Sequence, residues 1–116
     1  RPLIEHPPVI DWITQQAQHV ELLLSVCTGA LLLAKAGLLR DQRATTYHNA
    51  FERLEALAPD ARICREERWV DNGHIIMSAG ISAGIDMSFH VVERLLGREV
   101  AEATARHMEY DYYPRQ

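Results

Sequence analysis

Cys27, Thr28 and Gly29, in the stretch SVCTGAL, separate two apolar runs, VELLLSV before and LLLAKAGLL after. A thiol at that junction is one of two things. It is a small core residue, since free cysteine is among the most buried residue types, or it is a nucleophile carried on a sharp turn. The second reading has definite chemistry. At the carboxyl end of a buried strand, a side chain faces the crevice where open α/β sheets bind ligands. Amides at the start of the following helix favour thiolate over thiol. The Thr28 amide would then donate to a developing oxyanion, and Gly29 would keep a side chain out of a crowded turn, as the second glycine of a GxSxG elbow does. Cys64, in ARICREE, reads as an inert strand residue.

Two other stretches could contribute. In RATTYHNA, a short β-branched run ends at His48. If its strand neighbours the cysteine strand, His48 emerges at the same edge and can orient or protonate a thiolate intermediate; otherwise it caps the next helix at the surface. In SAGISAGID, Gly80 and Gly84 permit a loop close to a ligand or simply close backbone packing, and Ser82 is a candidate N-cap. The stretch has neither the spacing nor the lysine of a phosphate loop. The remaining histidines, His6, His19, His74, His90 and His107, show no ligand spacing. Neither zinc nor another metal is expected, and no cofactor is called for.

The elements that must position these residues follow from periodicity. Pro7 and Pro8 open a helix over residues 8–19, with Val9, Ile10, Ile13 and Ala17 at helical spacing. Residues 20–26 form an apolar run without alternation, as in a strand covered on both faces. A helix over 28–36 stops at Gly37, RATTY is a strand, and residues 48–59 are a helix with Phe51, Leu54 and Leu57 on one side. Asn72-Gly73, between RWVD and HIIMS, marks a hairpin with a type I′ turn. A helix over 82–97 has Ile85, Phe89, Val92 and Leu96 as its apolar stripe, and a last helix over 98–113 carries Val100, Ala103 and Met108 on one side. Strands alternating with helices, plus one hairpin, predict an α/β sandwich.

Composition bounds the rest. The 116 residues suit one domain, and 47% hydrophobic content supports a core. The formal charge of −4, without basic blocks, gives no nucleic-acid surface. No apolar run is long enough to cross a bilayer. Two cysteines make no disulfide framework and fit a reducing, cytoplasmic setting.

The stretches LLSVCTGALLLAKAGLLRDQRATTYHNAFERL and RWVDNGHIIMSAGISAGIDM resemble the DJ-1/PfpI superfamily, nearest to its isonitrile hydratase-like proteins and the similar sensor domains of AraC-type regulators. The resemblance runs from HPPVIDWI to EYDYYP and implies a flavodoxin-like three-layer α/β sandwich with a mostly parallel sheet, as a homodimer. It implies Cys27 as nucleophile on a strained elbow and Thr28 as its helper, with Gly29, His48 and Ser82 at the pocket or oxyanion site. Family members also use an N-terminal acid and a Gly-Gly loop. Neither is in this sequence, so residues 1–116 are expected to be the C-terminal portion of a single domain, with Arg1 the tail of that loop and with another segment or chain completing the fold. The resemblance departs at Tyr47, where a histidine is often found one place before His48. Three functions are implied: hydration or hydrolysis of a small electrophile, ligand sensing for an appended DNA-binding region, and a redox or stress role for Cys27. Protease activity has no support in these residues.

Overall fold

The computed structural model describes residues 2–112. Its elements are α1 (Pro7–Ala17), β1 (Leu23–Ser25), α2 (Ala30–Lys35), β2 (Arg43–Ala44), α3 (Phe51–Leu57), β3 (Arg62–Ile63), β4 (Trp69–Asp71), β5 (Ile75–Ser78), α4 (Ile81–Leu96) and α5 (Arg98–His107). Short 3-10 turns precede α1, α2 and α3, at Pro2–Glu5, Cys27–Gly29 and His48–Ala50. Three strands form a sheet in the order β1-β5-β4; β1 runs parallel to β5 and β4 antiparallel to it. β2 and β3 form a separate parallel pair.

Side chains alternate across β5. Ile75 and Met77 join a core with Leu31, Leu33, Ala34 and Leu54 from α2 and α3. Ile76 faces the other way, into a smaller cluster with Trp69 and Met87 of α4. The sheet therefore has helices on both faces. His74 ties the hairpin to the chain's first third: its ring nitrogens lie 2.9 Å from the Ala17 carbonyl oxygen and 3.1 Å from that of Glu21.

Several expectations need correction. The hairpin is present, but positive φ is confined to Gly73 (95°), and the Asn72 N–H donates to the Ile75 carbonyl. The central residues are thus Gly73 and His74, the pattern of a type II′ turn and not of type I′. β1 is three residues long, and RATTY keeps only Arg43–Ala44 as strand, because Thr45 and Thr46 turn inward to bond other segments. Cys64 lies just past β3. The buried face of α4 is Ala83, Gly84, Met87 and Phe89; Ile85 and Leu96 are exposed. α5 buries Ala101 and Ala105, leaving Val100, Ala103 and Met108 in solvent. It ends at His107, after which Tyr110 and Tyr112 fold back to stack on Phe89 at centroid distances of 5.2 and 5.0 Å. Arg1 and Tyr113, which figured in the expected loop tail and last helix, lie outside the described residues.

Candidate functional site

The chain leaves β1 through Val26 and turns at once. Cys27 has φ of 58°, the left-handed region that few non-glycine residues occupy. The neighbouring segments hold it there from two sides. Its N–H donates to the Ala79 carbonyl (3.0 Å), and its own carbonyl accepts from the Thr46 hydroxyl (2.8 Å). Thr46 is fully buried, so its hydroxyl needs such a partner. Ala79 is in turn fixed by its N–H to the Arg68 carbonyl (2.9 Å). The side chain of Cys27 is half-buried, Thr28 is exposed, and both cysteines are free thiols. A positive φ at a non-glycine residue persists only where its surroundings over-determine it; here two backbone anchors do so.

Two glycines allow the segments to close on one another. A Cβ on Gly84 would stand 2.9 Å from Val26 Cγ1, and one on Gly80 would stand 3.3 Å from Tyr47 Cδ1. Gly29, expected to relieve crowding, does not: a Cβ there would meet only Ser25 Cβ, at 3.9 Å, an ordinary contact. The close approach is between α4 and the residue that ends the strand, not within the turn itself. Beneath the turn, Ser25 Oγ is buried without a hydrogen-bond partner among the described residues.

The other expected residues are placed as follows. Thr28 follows the cysteine in the 3-10 turn, where an amide has no partner from the helix interior. His48 starts the turn before α3, exposed, its ring 4.2 Å from that of Tyr47; among the described residues it makes no hydrogen bond to Cys27. Tyr47 lies against Gly80, so the three stretches singled out from the sequence do converge. Ser82 is not the N-cap of α4. Gly80 holds that position, while Ser82 sits inside the first turn and accepts from Arg68 Nη2 (3.2 Å). Thr46 and Ala79, which position the cysteine, carried no sequence signal beyond their small or β-branched character.

Charged groups cluster away from the thiol. Asp71 accepts from His90 Nε2 (2.7 Å), Arg94 Nη1 (3.1 Å) and the Gly73 N–H (2.7 Å). Burial pushes its carboxyl up, but these hydrogen bonds and the Arg94 charge outweigh it and hold the group below the usual carboxylate range. Asp86 joins Arg68 (2.8 Å) and the Tyr110 hydroxyl (2.8 Å), and its hydrogen bond to Tyr110 raises that phenol above its ordinary value. Among the described residues no group of three or more His, Cys, Asp or Glu could hold a metal ion, and no helix is long and apolar enough to cross a membrane.

The fold and turn describe an α/β domain with a cysteine on a strand-to-helix elbow. Residues 2–94 match the DJ-1/PfpI family, and the chain belongs to it. It is 36% identical to an isonitrile hydratase of Pseudomonas putida over 112 residues, 94% of this chain and 46% of that protein. It is 30% identical to the HTH-type transcriptional regulator CdhR of Pseudomonas aeruginosa over 95 residues, 82% of this chain and 28% of the regulator. The crystal structure of a ThiJ/PfpI family protein from Pseudomonas syringae superposes with a TM-score of 0.86 at 28% identity, covering 99% of this chain and 46% of that one. The chain thus spans at most about half the length of these relatives.

Proposed function

We propose that this chain supports cysteine-dependent hydration of a small electrophile, in the manner of an isonitrile hydratase, with Cys27 as the nucleophile. The observation that carries the reading is the left-handed turn at Cys27, anchored through both its N–H and its carbonyl, with the residue half-buried. The sulfur adds to the terminal carbon of an isonitrile, forming a C–S bond while that carbon gains a proton. Water then adds to the resulting thioimidate carbon and protonates the nitrogen. The C–S bond breaks, Cys27 is released, and an N-substituted formamide leaves. Thr28, through its amide or hydroxyl, steadies the tetrahedral intermediate. In this reading His48 and Ser82 contribute to the walls of the pocket.

The same reading makes residues 1–116 the C-terminal portion of one flavodoxin-like, three-layer domain, working as a cytoplasmic homodimer. Among the described residues β1 is an edge strand; Leu24 within it and Val26 just past it are 41% and 46% exposed. An apolar edge of this kind favours pairing with a further segment of polypeptide.

A second reading, a ligand-sensing domain of an AraC-type regulator, draws support from the similarity to CdhR. Turnover of a small alkyl isonitrile by the full-length protein and its Cys27→Ala variant separates the two. Formamide production that depends on Cys27 supports the hydratase; turnover undiminished in the variant refutes it, and no turnover together with ligand-dependent DNA binding favours the sensor.

A further inference from the structure

Beside the elbow lies a hollow of about 230 Å³. Thr28 and Gly29, the two residues after the candidate nucleophile, are part of its lining. Leu3 and Ile4, from the turn before α1, and Leu32 of α2 give it apolar walls. Arg53 of α3 also lines it. This guanidinium is out of place in such company. Arg40, Arg65, Arg68 and Arg94 each pair with a carboxylate; Arg53 is exposed and has no ion pair or hydrogen bond among the described residues. Among the described residues no carboxylate lines the hollow. Glu5 borders a neighbouring depression with Lys35, and Glu55, two residues after Arg53 on α3, is engaged by Arg65 at 2.6 Å.

A cation left unneutralised on the wall of a small apolar hollow selects for an anion. Arginine does so with a planar fork that matches a carboxylate in bidentate fashion. The volume is below the roughly 300–1,000 Å³ of sites for drug-sized ligands, so the complement is a short carboxylate-bearing group and not a large molecule. We propose that this hollow is the subsite for the carboxylate of a small anionic substrate, with Arg53 as its counter-charge, so that the electrophilic carbon at the other end of that molecule is presented to Cys27. The inference rests on the proposed role of Cys27, and names the substrate class.

Alkylation of Cys27 tests it independently of turnover. Iodoacetate and iodoacetamide react through the same methylene carbon: the sulfur forms a bond to that carbon, the C–I bond breaks, iodide departs and the thiol proton goes to solvent. They differ chiefly in the carboxylate. The ratio of their rates at Cys27, read by mass spectrometry, is expected to fall about two- to fivefold in Arg53→Gln, the effect of one solvent-accessible ion pair. Arg53→Lys is expected to recover part of it, Arg40→Gln to leave it in place, and 0.5 M salt to compress the wild-type ratio. A ratio unchanged in Arg53→Gln, or lowered equally in Arg40→Gln, overturns the subsite. Failure of both reagents at Cys27 overturns the nucleophile as well, whereas formamide production without carboxylate preference overturns the subsite alone.

Discussion

The left-handed turn at Cys27 makes a prediction whose sign depends on backbone conformation. Replace Cys27 by alanine in one variant and by glycine in another. Both lose the sulfur, so side-chain chemistry cancels and the comparison reads the main chain. At an ordinary position glycine is the worse choice by roughly 0.5–1 kcal/mol, because the unfolded chain has more freedom to lose. At φ of 58° alanine keeps its Cβ close to the following carbonyl oxygen, a cost of roughly 1–2 kcal/mol that glycine avoids. The second term exceeds the first, and Cys27→Gly is expected to be the more stable by about 1 kcal/mol. For a 116-residue chain this is a difference of about 4 °C in melting temperature, readily measured by circular dichroism under reducing conditions. An alanine variant that melts above the glycine variant would refute the strained turn, and with it the structural basis for treating this cysteine as more than a packed thiol.

Two further expectations concern the frame around the site. Asp71→Asn removes the anion from the His90–Arg94–Gly73 cluster and is expected to cost about 1.5–3 kcal/mol at neutral pH, the worth of hydrogen bonds to a charged group. Since the folded carboxyl lies below its usual value of about 3.9, its contribution is present above about pH 4 and disappears as pH falls through the folded value. Denaturation curves of wild type and variant should therefore converge in acid, and coincidence at pH 7 would count against the cluster. At the edge strand, the chain is expected to self-associate in size-exclusion chromatography, with Leu24→Lys and Val26→Lys together shifting it toward monomer; a monomeric wild type with a cooperative melt would show that β1 needs no partner.

The elements that place the cysteine were legible because their signals are local. An apolar run ending at SVC, the Pro7-Pro8 helix start and the Gly73 hairpin each announce themselves within a few residues. The finer features depend on contacts between distant segments. Nothing near Thr46 announces that its hydroxyl will reach the Cys27 carbonyl, 19 residues away in sequence. The periodicity of α4 allowed a stripe through Ile85 and Leu96, yet the buried face runs through Ala83, Gly84 and Met87, because the sheet that α4 covers leaves the flank beside β1 open. Gly29 is singled out by its place after the thiol, whereas the glycine without which the backbone could not close is Gly84, 55 residues further along. Arg53 stood unnoticed in FERLEAL, since an exposed helical arginine carries no signal until the hollow beside it is seen.

The lone hydrogen on the α-carbon of Gly84 sets the stand-off between α4 and the last residue before the elbow. The loop that leads into that helix carries the oxygen to which the Cys27 amide is moored. Helix and sulfur therefore behave as parts of one lever. Any load that tilts α4, such as a bulkier residue wedged at its root, bears on the backbone that holds Cys27 without touching that residue.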